Sequence, residues 1–206
     1  MGRVLVVAIL CMAGAHAAVA QDSTRTVQRR NLLMHFGFGS GLASLRTSDG
    51  HIPNEEKLGP AFEIAAFYTL SNKWSVGLQF ARIGELGQQE GEAGRMNGLH
   101  FCLARRVYNT PRWYGDASLG LGLFGAALWN NGARLPEESN WGGWMIGFRT
   151  GRMWSNVVGT HASLQWWPTG TGRLTQAGSP VLSQTGDEVR LYAQGAVLCL
   201  GVFTRF

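Results

Sequence analysis

The sequence predicts an all-β protein folded as a closed, up-and-down, antiparallel, eight-stranded transmembrane β-barrel. Three observations carry that expectation. Apolar residues recur with a period of two in eight separate runs, as in strands whose two faces meet different surroundings. The apolar face of these runs is bulky and uncharged in mid-strand, whereas the other face mixes Gly, Ala and Ser with ionisable side chains. The links between runs alternate between short and long. Composition sets the frame: of 206 residues only 15% are charged, 29 are Gly, eight are Trp and ten are Phe, and mean hydropathy is −0.03. Such a chain is too apolar for disorder, and its glycines lack the three-residue period of collagen. Beyond the N-terminus the longest weakly polar run, 117–129, is too short and too interrupted by Gly for a membrane helix.

The runs follow in order. Leu32 to Leu42 sets Met34, Phe36 and Phe38 against His35, Gly37 and Gly39. Phe62, Ile64, Ala66, Tyr68 and Leu70 then alternate with Glu63, Ala65 and Thr69. After the turn Ser71-Asn72-Lys73, Trp74, Val76, Leu78 and Phe80 alternate with Ser75, Gly77, Gln79 and Ala81. The fourth run opposes Leu99, Phe101, Leu103 and Val107 to Gly98, His100, Cys102, Ala104 and Arg106. A second tight turn, Asn109 to Arg112, leads to Trp113, Ala117, Leu119, Leu121 and Leu123 against Asp116, Ser118, Gly120 and Gly122. The sixth opposes Trp144, Ile146 and Phe148 to Gly143, Gly147 and Arg149, and the seventh Val158, Ala162, Leu164 and Trp166 to Gly159, His161, Ser163 and Gln165. In the last, Tyr192, Ala196, Leu198, Leu200, Val202 and Phe206 face away from Gly195, Cys199, Gly201 and Arg205.

A soluble sandwich or lipocalin-like carrier turns its apolar face inward and leaves its charges outside. Here Glu63, Arg106, Asp116 and Arg149 share the face of small residues. That face fits the interior of a narrow barrel, with these four as a lumen polar network, and the bulky face fits lipid. Trp74, Trp113 and Trp154 fall near one set of strand ends, and Trp129, Trp141, Trp144, Trp166 and Trp167 near the other. Amphipathic rings collect at both membrane–water boundaries, so two girdles are expected, with Trp74, Trp113, Trp144 and Trp166 as interface aromatics. The short links lie at about 71–73, 109–112 and 151–156, and the long ones at about 43–57, 83–95, 129–140 and 168–188.

The N-terminus reads as an address. Met1-Gly2-Arg3 is a positive start, Val4 to Ala13 is apolar, and Ala18-Val19-Ala20 is an A-x-A cleavage site, so 1–20 is a signal peptide. Leu10 before Cys11 departs from the small residue a lipoprotein site requires. Residues 21–31, with Arg25, Arg29 and Arg30, read as a short periplasmic tether, and 32–206 as the barrel. Loss of 1–20 removes one base and no acid, leaving a charge near +4, too small and scattered for a nucleic-acid partner. Cys102 and Cys199 would then remain, an even count that permits a disulfide; inside strands they read as buried space-fillers.

Two stretches carry a family likeness: Gly59-Pro60-Ala61-Phe62-Glu63-Ile64-Ala65-Ala66-Phe67-Tyr68-Thr69-Leu70, running into a tight turn and Trp74, and the C-terminal Leu198 to Phe206. With the leader and the uneven links, they resemble the small eight-stranded outer-membrane β-barrels, the OmpA-type and OmpX-like group, over residues 32–206. The resemblance implies a monomeric, porin-like fold in the outer membrane of a Gram-negative envelope, touching outer-membrane lipid and lipopolysaccharide, without cofactor or metal. It also implies that Leu198, Leu200, Val202 and Phe206 form the assembly signal read by the barrel assembly machinery after delivery by periplasmic chaperones, although Thr204 is a weak member of that series.

Two functional expectations follow. In the first the protein is non-enzymatic, with a structural, adhesion or surface-interaction role exerted through its four extracellular loops. Those loops hold ten of the thirteen acids, from Asp49 and Glu55 to Asp187 and Glu188. They read as solvated surface, the competing reading being divalent-cation binding beside lipopolysaccharide phosphates. In the second expectation, His161-Ala162-Ser163 resembles the His-x-Ser of the outer-membrane lipid A deacylases, with His161 as base and Ser163 as nucleophile. Leu164 stands where that family has Asn, and strand parity turns His161 and Ser163 towards the lumen beside His35 and His100. No phosphate loop, CxxC, HExxH or GxSxG occurs.

Overall fold

A computed structural model describes residues 31–50, 52, 55–84, 93–129 and 135–206. The expected signal peptide, residues 21–30 of the expected tether, and parts of three long links lie outside the described residues. Eight long strands form the wall: β1 (Leu32–Thr47), β2 (Glu55–Thr69), β3 (Trp74–Ile83), β4 (Ala93–Asn109), β5 (Trp113–Trp129), β6 (Glu137–Met153), β7 (Val158–Arg173) and β10 (Arg190–Arg205). Two-residue strands β8 (Thr175–Gln176) and β9 (Ser179–Pro180) form a ribbon on the N-terminal end of β6. Each long strand pairs antiparallel with its sequence neighbour. Strand β10 follows β7 in the wall and pairs with β1, from Leu33↔Arg205 to Thr47↔Leu191, which closes the barrel. Closure leaves the long strands no free edge, so their backbone groups are satisfied without water.

The three short turns are held by hydroxyls written into the sequence. Ser71 Oγ accepts from the backbone N–H of Lys73 and Trp74, Thr110 Oγ1 from Trp113, and Ser155 Oγ from Val157 and Val158. At the opposite end, β8 and β9 turn through Ala177 and Gly178 with φ of 53° and 82°, the doubly positive pair of a tight hairpin.

The parity of each run is observed. Phe38, Phe101, Leu121, Leu164 and Leu200 stand outward and exposed, while His35, Glu63, Gln79, His100, Arg149 and His161 are buried inside. Three expectations are corrected. The strands run beyond the alternating segments: β1 continues from Leu42 to Thr47 and β7 to Arg173. There the outward residues turn polar, as at Ser44 and Arg46, while the inward Ala43 and Leu45 are apolar and buried, so the contrast between faces inverts. Trp141 and Trp167 belong to the lumen and not to a girdle, 7% and 0% exposed, because inward parity on β6 and β7 falls on odd residues. The interior is therefore not uniformly small. The half towards the long links is packed with Trp167, Trp141, Phe124, Met96, Ile83 and Leu191, with Phe124 stacked on Trp141 at 5.9 Å. Glycine makes room for these bodies: a Cβ on Gly170 would lie 1.9 Å from Trp141 Nε1. Cys102 and Cys199 are both buried and unbridged.

Candidate functional site

The polar centre of the barrel is built on one row of the sheet. Glu63 on β2 is in register with Gly37 on β1, Gly37 with Gly201 on β10, and Gly201 with His161 on β7. The two middle members have no side chains, so the outer two lean over them and meet. A Cβ on Gly37 would lie 3.0 Å from Glu63 Cγ, and one on Gly201 would lie 2.8 Å from His161 Cε1. Glu63 Oε1 thereby lies 2.8 Å from His161 Nε2 and accepts from Ser163 Oγ at 2.7 Å. Its Oε2 accepts from Gln165 Nε2 at 2.6 Å and Gln79 Nε2 at 3.2 Å, with Arg149 Nη2 at 3.6 Å. Arg149 is in register with Ser163 on the neighbouring strand and lies over the Phe67 ring at 5.0 Å. His35 meets the edge of His161 with centroids 4.9 Å apart.

This arrangement satisfies a buried carboxylate. A carboxylate has about four lone-pair directions, and five neighbours take them up. Ser163 donates to Glu63, and among the described residues no hydrogen bond joins it to His161. The two residues at 161 and 163 are thus both committed to one acceptor, with side chains closed off from the lipid-facing wall.

Arg106 and Asp116 do not join this cluster. They pair directly across β4 and β5 near the short turns, where Arg106 also reaches Asn109 Oδ1 at 3.3 Å and lies over Tyr114 at 4.7 Å. A bulge at Val107 lies beside the pair. The four expected lumen charges are thus two separate pairs. Gln79 and Gln165, which complete the Glu63 shell, were legible as inward residues but carried no charge to single them out. Trp74 and Trp113 stand outward beside the short turns, and Trp144 and Trp166 stand outward further up the wall, edge to face at 5.7 Å. Leu198, Leu200 and Val202 project outward from β10, and the Phe206 backbone is doubly bonded to Leu32.

No family model and no curated protein matches the chain. Solved structures do. The outer membrane protein OprG from Pseudomonas aeruginosa aligns with a TM-score of 0.56 at 8% identity, covering 85% of this chain and 95% of that one. Neisserial surface protein A aligns at 0.52 and 15% identity, covering 85% and 97%. At such identities the likeness speaks for fold alone. The fold is that of the small eight-stranded outer-membrane β-barrels.

Proposed function

We propose that this protein is an integral outer-membrane β-barrel, inserted after cleavage of its leader, that acts without catalysis, as a structural or surface-contact protein presenting its long connections outside the cell. The observation that carries this reading is the outer wall. Phe38, Phe101, Leu121, Leu123, Leu164 and Leu200 are between 51% and 75% exposed, and no charged side chain interrupts the outward positions around them. Such a girdle far exceeds the apolar patches water tolerates on a soluble protein. Along β10 and the residue after it, the outward positions from Ala196 to Phe206 are apolar except for Thr204, and at the rise and tilt of barrel strands they span about 25 Å, the depth of an outer-membrane apolar band. Trp74 and Trp113 near one margin and Trp144 and Trp166 near the other fit the two interfacial belts.

The packed interior supports a role other than a pore, since Trp167, Phe124 and the Glu63–Arg149 cluster occupy the cross-section. Commitment of His161 and Ser163 to Glu63 supports a role other than lipid hydrolysis. The C-terminal series Leu198, Leu200, Val202 and Phe206 supports delivery through chaperones and the barrel assembly machinery.

Membrane fractionation with gel electrophoresis of boiled and unboiled samples tests this reading. The expected result is recovery in the outer-membrane fraction and faster migration before boiling. A protein that stays folded in detergent-free buffer would refute it. The non-enzymatic half has its own test: incubation with lipid A is expected to release no acyl chain, and release abolished by Ser163→Ala would overturn it.

A further inference from the structure

Just beyond the outer aromatic margin the wall carries a groove that the reading above leaves unused. Its volume is about 210 Å³, and it is lined by Ser44, Arg46, Thr169, Tyr192, Ala193 and Gln194. Its position follows from register. Leu42, Ala196 and Trp166 form one row across β1, β10 and β7, the last apolar row of the outer wall there. Two residues further along, Ser44 is in register with Gln194, and two beyond that Arg46 is in register with Tyr192. At about 3.3 Å per residue along a tilted strand, the groove begins some 5 Å above the hydrocarbon margin and Arg46 lies about 10 Å above it, the depth of lipid headgroups. Arg46 and Tyr192 face outward, since Leu45, Thr47, Leu191 and Ala193 beside them are all buried.

The chemistry of the groove is that of a phosphorylated sugar. The β-bulge opposite Gln194 shifts the register between Ala193 and Gly195 and brings Thr169 outward, where its hydroxyl donates to Gln194 Oε1 at 3.1 Å. Gln194, Tyr192 and Thr169 all line the space, and their amide and hydroxyl groups are donors and acceptors of the kind that suit saccharide hydroxyls. The Arg46 guanidinium carbon lies over the Tyr192 ring, 5.0 Å from its centroid, a cation–π contact that holds the charge at the groove. No acidic side chain among the described residues pairs with Arg46. Arg173 on the same side is by contrast already neutralised by Glu188 at 2.8 Å. Arg190 is the next outward residue of β10 beyond Tyr192 and adds a second cation.

We infer that this groove binds the phosphorylated saccharide headgroup of an outer-leaflet glycolipid, with Arg46 on the phosphate, Arg190 assisting, and Tyr192, Gln194 and Thr169 on the sugar. The inference rests on the proposed outer-membrane placement and gives it an orientation: the groove faces the outer leaflet.

The test uses the full chain refolded in neutral detergent micelles and titrated, with native mass spectrometry as readout, against three probes. These are lipid A bearing its phosphates, the same lipid A with phosphates removed, and inorganic phosphate alone. Phosphorylated lipid A is expected to bind at least about tenfold more tightly than the dephosphorylated form, the scale of a charge-assisted contact. Arg46→Gln should abolish that preference, and Arg112→Gln, in a short turn at the far end, should leave it intact. Equal binding of both lipid forms, an unchanged preference in Arg46→Gln, or full occupancy by inorganic phosphate would each overturn the assignment. Boiled and unboiled gel migration of every variant separates the two layers of inference. A wild-type chain without heat-modifiable migration removes the membrane placement and this site with it. Heat-modifiable proteins that ignore lipid phosphate remove only the site.

Discussion

Among the described residues two acid–base pairs face the inside of this barrel, and they are held in opposite ways. Glu63 and Arg149 lie in the middle of the lumen with side chains 0% and 8% exposed, 3.6 Å apart, inside a shell of two amides, a hydroxyl and an imidazole. Arg106 and Asp116 touch more closely, yet they lie at the mouth formed by the short turns and keep 20% and 16% of their side-chain surface. The closer contact is the less consequential one. A half-open pair exchanges water for its partner at little net gain, whereas a sealed pair is balanced only while every partner is present. Charge in a barrel lumen is then expected to act as structure in proportion to what encloses it.

The sharpest way to break the comparison is to remove the carboxylate at the centre. Glu63→Ala leaves Arg149 buried without its counter-charge and strips His161, Ser163, Gln79 and Gln165 of their shared acceptor. The expected loss is about 3–5 kcal/mol of unfolding free energy, read from urea titration of the refolded protein by tryptophan fluorescence. An effect below about 1 kcal/mol would show that water replaces the carboxylate and that the cluster is not sealed. Pairing the change with its partner refines the point. Because replacing a whole buried ion pair with apolar residues is often neutral, Glu63→Leu combined with Arg149→Met is expected to recover most of what either change alone loses. A double variant as unstable as the sum of the two would mean that the pair acts as independent charges.

The row that lets Glu63 reach His161 gives a smaller, purely steric test. Gly37→Val places branched carbon at a point where even a single Cβ would stand 3.0 Å from both Glu63 Cγ and the Cys199 Cβ. A cost of about 1–3 kcal/mol is expected on the same urea titration. Gly142, whose Cβ position has no neighbour within 4 Å, provides the control and should tolerate Ala with little change.

That row also marks what the sequence discloses and what it withholds. Period two assigns every long strand and its lipid face, because the two sides of a barrel wall differ so much that parity survives any uncertainty in the strand ends. Parity likewise puts Glu63, His161 and Ser163 inside. It says nothing of depth, and depth decides which inward charges meet: Arg106 meets Asp116 directly across the β4–β5 hairpin, but Glu63 on β2 finds Arg149 on β6, a strand it does not pair with, only because the whole sheet closes. The two bulges, at Val107 and opposite Gln194, are invisible for the same reason, since an extra residue in one strand leaves no local mark. Trp141 and Trp167 show the opposite failure. Distance from the strand end suggested a membrane girdle, yet counting faces from Trp144 and Trp166, each an odd number of residues away, turns both rings inward.

The mouth pair completes the comparison with the smallest effect. Asp116→Asn removes the charge and keeps the shape, so Arg106 loses its ion pair but retains Asn109 Oδ1 at 3.3 Å, the Tyr114 face and access to water. The expected change is at most about 1 kcal/mol. It should also shrink as salt is raised, because a pair open to solvent is screened within about 10 Å at 0.1 M ionic strength. The Glu63→Ala loss, sealed from mobile ions, should not follow salt. Urea titrations of both variants at low and high sodium chloride therefore separate the two regions by slope as well as by size. If Asp116→Asn proved as costly as Glu63→Ala and as insensitive to salt, the mouth would be closed to water, and enclosure would no longer distinguish the two pairs.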